Sequence, residues 1–143
     1  MWAWFLRELW QEFNVLWVII AVLGSVIPDF DHMLYFTTYG KRDPYTRAAV
    51  TFLKTRQWRV LVRFLENGHK SNVSLTFHNF YITAVIFGLT IISYVMGWRF
   101  WVVLFGAMVT HYLFDAADDW VMLGRLNSNW KRWGRGKRRY ISS

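Results

Sequence analysis

The chain contains no cysteine. That excludes disulfide scaffolds, thiolate zinc sites, iron–sulfur clusters and cysteine nucleophiles together, and it leaves the redox compartment open. No internal repeat or low-complexity linker divides the 143 residues, which make one domain of ordinary size. A cleaved secretory leader is not expected: the start (Met1, Trp2, Ala3, Trp4, Phe5, Leu6, Arg7, Glu8) has no basic n-region, and no small-residue cleavage site follows Val22. The first apolar run is therefore expected to be retained. Acidic residues are few, nine Asp and Glu against seventeen Lys and Arg, for a net charge of +8.

What fills the chain is apolar and aromatic. The composition is 55% hydrophobic, with ten Trp, twelve Phe and seven Tyr. A soluble domain of this size has too little interior for so many rings, so an apolar body with basic segments points to a membrane. Three apolar stretches cover residues 13–27, 80–98 and 98–114, with Trp and Tyr at their ends as in an aromatic belt. The expected fold is an all-α membrane protein. Three transmembrane helices (about 10–28, 78–98 and 99–118) and an amphipathic surface helix (about 44–66) make a single domain over 1–126, followed by a basic cytoplasmic tail over 127–143. Residues 2–12 read as an interfacial turn or two continuing into the first span. The surface helix alternates Arg56, Arg59 and Arg63 with Trp58, Leu61, Val62 and Leu65; its alternative is a soluble helix packed on a partner. The tail reads as a solvated topology signal rather than a nucleic-acid site.

Charge sets the expected orientation. One basic residue precedes the first stretch, eight lie between the first and second, one between the second and third, and seven follow the third. Fifteen against two places both basic segments in the cytoplasm and the N-terminus outside. On that topology Ile27-Pro28-Asp29-Phe30-Asp31-His32, Phe77-His78-Asn79 and His111-Tyr112-Leu113-Phe114-Asp115, with Asp118 and Asp119 just beyond, are three helix ends meeting at one membrane face. His111 and Asp115 are four apart, about 5 to 6 Å on one helix face, with His111 about 6 Å deeper along the axis. Ionisable groups at such depth are functional hypotheses by default. Carboxylates with neutral imidazoles suit a divalent cation such as zinc, manganese or iron. Each element also has a structural reading: Asp29 and Asp31 as caps of a helix starting near His32, His78 as an interfacial orienting group, and His111 with Asp115 as a packing pair. His69 sits in a polar Asn67-Gly68-His69-Lys70-Ser71-Asn72 stretch that reads as a solvated loop.

These elements carry a resemblance. Ile-Pro-Asp-Phe-Asp-His at 27–32, a His-containing segment closing on Phe77-His78-Asn79, and Gly106-x-x-x-Thr110-His111-x-x-x-Asp115 resemble, in that order, the motifs of the YdjM-like family of small prokaryotic membrane proteins described as metal-dependent hydrolases. The resemblance covers about residues 20–120. Two features depart from the family pattern. His69 and His78 are nine apart where the family's paired histidines are five apart, and no His precedes position 32.

The resemblance implies a metal-dependent hydrolase at the cytoplasmic leaflet of a prokaryotic inner membrane, and the basic belt, which would draw anionic headgroups, makes a phosphoester or lipid-like substrate the expected one. Asp29, Asp31, His78, His111 and Asp115 would be metal ligands, and His32 the catalytic proton carrier or outer partner. His69, Asn79, Asp118 and Asp119 are weaker candidates. The rival reading is a non-enzymatic accessory subunit of a photosynthetic or respiratory membrane complex. It would carry a degenerate site, or a haem or chlorophyll held by His78 and His111. Expected partners are membrane lipids and either other membrane subunits or a second copy of the chain, because three helices cannot shield one another fully.

Overall fold

The computed structural model describes residues 2–72 and 75–131, apart from the side chains of Ala3, Asn67 and residues 69–72. Among the described residues the chain is all-helical, with no strand. Its elements are α1 (Trp2–Trp10), α2 (Val15–Val26), α3 (Phe30–Leu34), α4 (Pro44–Lys54), α5 (Trp58–Asn72), α6 (Phe80–Val95) and α7 (Arg99–Leu123). Two helical rods, Val15–Tyr39 and Arg99–Leu123, are each 25 residues long and apolar enough to cross a membrane. The expectation of three such helices is corrected to two. The third, α6, is apolar but only 16 residues long, below the roughly 17 to 25 that a span needs.

The first rod does not stop near residue 28. Its entry is capped by Asn14, whose side chain accepts the Leu16 N–H at 2.9 Å. Pro28 falls in the first turn of a short 3-10 segment (Ile27–Asp29), where a missing N–H breaks little. The helix therefore runs on through α3 and a π turn (Tyr35–Tyr39). Asp29 and Asp31 lie within this rod and do not cap a helix beginning at His32; Asp29 makes no side-chain capping bond.

Residues 2–12 likewise depart from the expected continuation. Gln11, at φ 52°, ends α1 as a separate helix, which folds back along the first half of α7. Leu6 is fully buried among Ile20, Val102 and Val103. Trp2 lies directly on Gly106, where a Cβ would meet its ring. At the other end Arg99 sits over the Trp10 ring at 5.3 Å and donates to Glu12 at 2.6 Å.

Helix α7 is the spine, packing against α2 on one side and α6 on the other. The α2–α7 approach is close enough that a Cβ on Gly24 would fall 2.6 Å from the Leu104 carbonyl oxygen. Gly97, at φ 71°, makes the turn between α6 and α7. The expected single surface helix over 44–66 is two helices, α4 and α5, broken at Thr55-Arg56-Gln57 where Arg56 takes φ 56°. They pack through Tyr45 stacked on Phe64 at 4.6 Å. The stretch 67–72, expected as a loop, is the end of α5. Of the expected tail, Ser128–Lys131 is a 3-10 turn with Asn129 and Trp130 buried against the bundle; residues 132–143 lie outside the described residues.

Candidate metal centre

His78 is held by a short segment that both neighbouring helices need. Asn79 caps α6, accepting the Ile82 N–H at 2.9 Å while its amide donates to the Thr76 carbonyl at 2.8 Å. Leu75 packs with Tyr35 and Tyr45. The Phe77 N–H donates to Asp31 Oδ2 at 2.6 Å, tying this segment to the first rod across 46 positions of sequence. The turn so fixed drives the His78 ring inward until the residue is only 4% exposed.

Asp31, 2% exposed, organises that ring. Its Oδ1 accepts the Tyr39 hydroxyl at 2.5 Å, and its Oδ2 lies 3.5 Å from His78 Nδ1. With Nδ1–H turned toward this carboxylate, the His78 Nε2 lone pair points the other way. There it stands 3.2 Å from Asp115 Oδ2. His111 Nε2 reaches the same Asp115 oxygen at 3.1 Å and Asp29 Oδ1 at 3.5 Å. Both Nε2 atoms are buried and make no hydrogen bond. Such an arrangement, two imidazole nitrogens facing one carboxylate oxygen without hydrogen-bond geometry, has the donor types and convergence of a cation site.

Two groups of side chains lie close enough to hold a metal ion: His78, His111 and Asp115, and Asp29, His32 and His78. His78 belongs to both. Asp31 belongs to neither, and acts instead on the far nitrogen of His78, as the outer carboxylate of a metal-bound histidine does. His32, expected to act outside the ligand shell, stands with Asp29 and His78, its ring centroid 5.2 Å from that of His78. Asn79 is taken up by helix capping. Asp119 is buried and accepts the Trp130 indole N–H at 2.7 Å. The His69 side chain lies outside the described residues.

His78 sits in the connection before α6, outside the helices. Burial opposes its protonation, but the Asp115 and Asp31 carboxylates outweigh this and push its pKa up to about 9.

The cluster borders a cavity of about 160 Å3 whose walls include Asp29, His32, His78, Asp115, Asp118 and Asn127. Trp130 covers one side, its ring 6.4 Å from His78 and 5.2 Å from Phe80. The cluster is not at three helix ends as the sequence suggested. Only α6 begins there; Asp29 lies ten residues before the end of its rod at Tyr39, and Asp115 eight before Leu123.

Sequence reasoning missed Tyr39 and Trp130. Tyr39 was findable, since a residue eight after Asp31 returns to the same helix face. Trp130 had no local signal, because its position depends on the chain reversing after Gly124. Comparison with protein-family models, with curated proteins and with solved structures gives no match.

Proposed function

We propose that this protein is a membrane-embedded, metal-dependent hydrolase whose site lies among α3, α6 and α7 and acts on a phosphoester or lipid-like substrate. One observation carries the reading: His78 Nε2 and His111 Nε2, both buried and without hydrogen bonds, converge on Asp115 Oδ2. The donor set fits a divalent ion. It is nitrogen and carboxylate oxygen without sulfur, which suits zinc, manganese or iron. His78, His111 and Asp115 would hold it, with Asp29 beside His111.

When bound, such an ion acts as a Lewis acid and lowers the pKa of water toward about 7. The remaining work belongs to the chain. Asp31 fixes the His78 tautomer, while Tyr39 and the Phe77 N–H hold Asp31 in place. Hydrolysis adds one water across the ester: its oxygen joins the phosphorus or carbonyl carbon, and the departing oxygen takes a proton. The His32 ring, on the cavity wall, is placed to pass that proton. Trp130 and Leu75 restrict bulk water on one side.

The resemblance to the YdjM-like hydrolases supports the same reading. That resemblance also supports a prokaryotic inner membrane, and the excess of seventeen Lys and Arg over nine Asp and Glu would draw anionic headgroups. A non-catalytic subunit of a larger membrane complex is the second reading. It is favoured by broad apolar exposure on α6 and the end of α7, where Val95, Val121 and Met122 are more than half exposed; a second copy of the chain would cover the same face. Its pigment variant is disfavoured, since the Asp115 carboxylate stands between the two imidazoles where a macrocycle would have to pass.

The test is elemental analysis of protein purified without added metal or chelating resin. About one divalent ion per chain is expected, together with metal-dependent cleavage of bis(p-nitrophenyl) phosphate or of a p-nitrophenyl ester. Metal-free protein that takes up no zinc, manganese or iron on titration rejects the reading.

A further inference from the structure

A second cavity, of about 330 Å3, runs between α2 and α7. Val18, Val22 and Ser25 line one side and Ala107, His111 and Phe114 the other. Trp2 bounds it at the end away from Asp115, because Trp2 rests on Gly106, more than a turn before His111. The groove is apolar in effect as well as in composition. The Ser25 hydroxyl donates to the Val22 carbonyl at 2.8 Å and the Thr110 hydroxyl to the Gly106 carbonyl at 2.7 Å. Neither hydroxyl donates into the groove. What remains is the Trp2 indole N–H, buried without a hydrogen bond, and His111, whose Nε2 has no hydrogen bond and lies 3.1 Å from Asp115.

The His111–Asp115 pair is therefore a wall between two unlike spaces. His111 lines the apolar groove, and Asp115 lines the polar cavity with His32 and His78. The groove is cut into the two rods that are long and apolar enough to cross a membrane. Its rim residues Val22 and Phe114 are exposed, so it opens sideways, toward the acyl region of a surrounding bilayer. What such a lateral opening meets in a bilayer is a hydrocarbon chain, and a water-soluble substrate has no use for such a surface.

We propose that this groove seats one acyl chain of a bilayer glycerolipid, entering laterally, so that the lipid's ester region is presented to the His111–Asp115 cluster. The proposal rests on the hydrolase reading and narrows its substrate to a membrane lipid. Bilayer hydrocarbon is as apolar as the groove, so seating the chain contributes little net affinity. Its effect is alignment: a chain held between α2 and α7 brings the polar end to the cluster in a limited set of orientations, which is where positioning contributes to rate.

The experiment uses the full chain in nanodiscs doped with a phosphatidylglycerol that carries a diazirine on one acyl chain, with photolabelled positions mapped by mass spectrometry. Label is expected to be enriched severalfold on residues 18–25 and 107–114 over the outward face of α6. Ser25→Phe and Val22→Trp, two separate ways of filling the groove from α2, should each cut groove labelling severalfold while α6 labelling and metal content stay at the parent level. Groove labelling no higher than that of α6, or unchanged in whichever variants fold, overturns the proposal. Metal content separates the two readings. Bound metal without groove enrichment rejects the groove alone, and groove labelling that falls in the variants of a metal-free protein rejects the hydrolase alone.

Discussion

The Nδ1 atom of His78 lies 3.5 Å from Oδ2 of Asp31, and that oxygen also accepts the Phe77 backbone N–H at 2.6 Å. A carboxylate on the first rod thus holds the Nδ1 edge of the ring and turns Nε2 toward Asp115. Asp31→Asn keeps the shape but removes the charge and lets an amide N–H face Nδ1, which disfavours the present tautomer. Metal affinity, read by competition with a chelating dye, is expected to fall about 10- to 100-fold. Parent affinity in the variant would mean that Asp31 has no role in orienting the ring.

His111 and His69 separate in the same assay. His111 Nε2 is buried beside Asp115 and Asp29, so His111→Ala should leave purified protein with little bound metal. His69 belongs to the end of α5, in a polar stretch whose side chains suit solvent, and His69→Ala should retain the parent metal content. Equal loss in both variants would instead bring His69 into the site, as the family's paired-histidine motif implies.

Metal uptake should depend on pH in a defined direction. The ordinary histidine value is near 6.5, but the neighbouring carboxylates push His78 up to about 9, and a cation must displace that proton. Affinity is expected to rise from pH 6.5 to about 9 and to level off above it. A plateau already reached near pH 7 would show that His78 binds as an ordinary imidazole or not at all. The check is a series of competition titrations across this range.

Gly24 and Gly88 offer a paired test of packing. A Cβ on Gly24 would lie 2.6 Å from the Leu104 carbonyl oxygen and 3.0 Å from Ala107 Cβ, whereas one on Gly88 meets nothing within 4 Å. Gly24→Ala should destabilise by about 1 to 3 kcal/mol through overpacking of α2 on α7. Gly88→Ala, at a half-buried position in the interior of α6 with room for a Cβ, should be neutral or stabilise by up to about 1 kcal/mol from helix propensity. Thermal unfolding in detergent, followed by circular dichroism, reads both.

Orientation is open to chemical labelling. Two crossing rods, Val15–Tyr39 and Arg99–Leu123, would leave residues 40–98 and the chain after Leu123 on opposite faces, so of cysteines placed singly at Ser71 and Ser143 of this cysteine-free chain, one should react with an impermeant maleimide in intact cells and the other only after lysis. Protection of both positions in intact cells would instead require α6 to make a third crossing.

The sequence by itself determined what depends on composition and on neighbours a few residues apart. Apolar runs without strand alternation made the chain helical, and the four-residue spacing of His111 and Asp115 placed both on one face of α7, where they touch. Tertiary structure decided what depends on how far each helix runs and what it meets. The apolar run ahead of Pro28 suggested a helix ending there. Packing carried the rod on to Tyr39 instead, because a proline in the first turn of a 3-10 segment needs no N–H partner. That continuation separated Asp29 from Asp31 in role, since their side chains, two residues apart on a helix, leave it in different directions. Asp29 reaches His111, while Asp31 meets Tyr39, Phe77 and the back of His78. Spacing along the chain carries no information about which of two nearby carboxylates faces a segment 46 residues away, nor about Trp130 closing over His78. Those contacts exist only once α3, the turn before α6 and α7 are packed together.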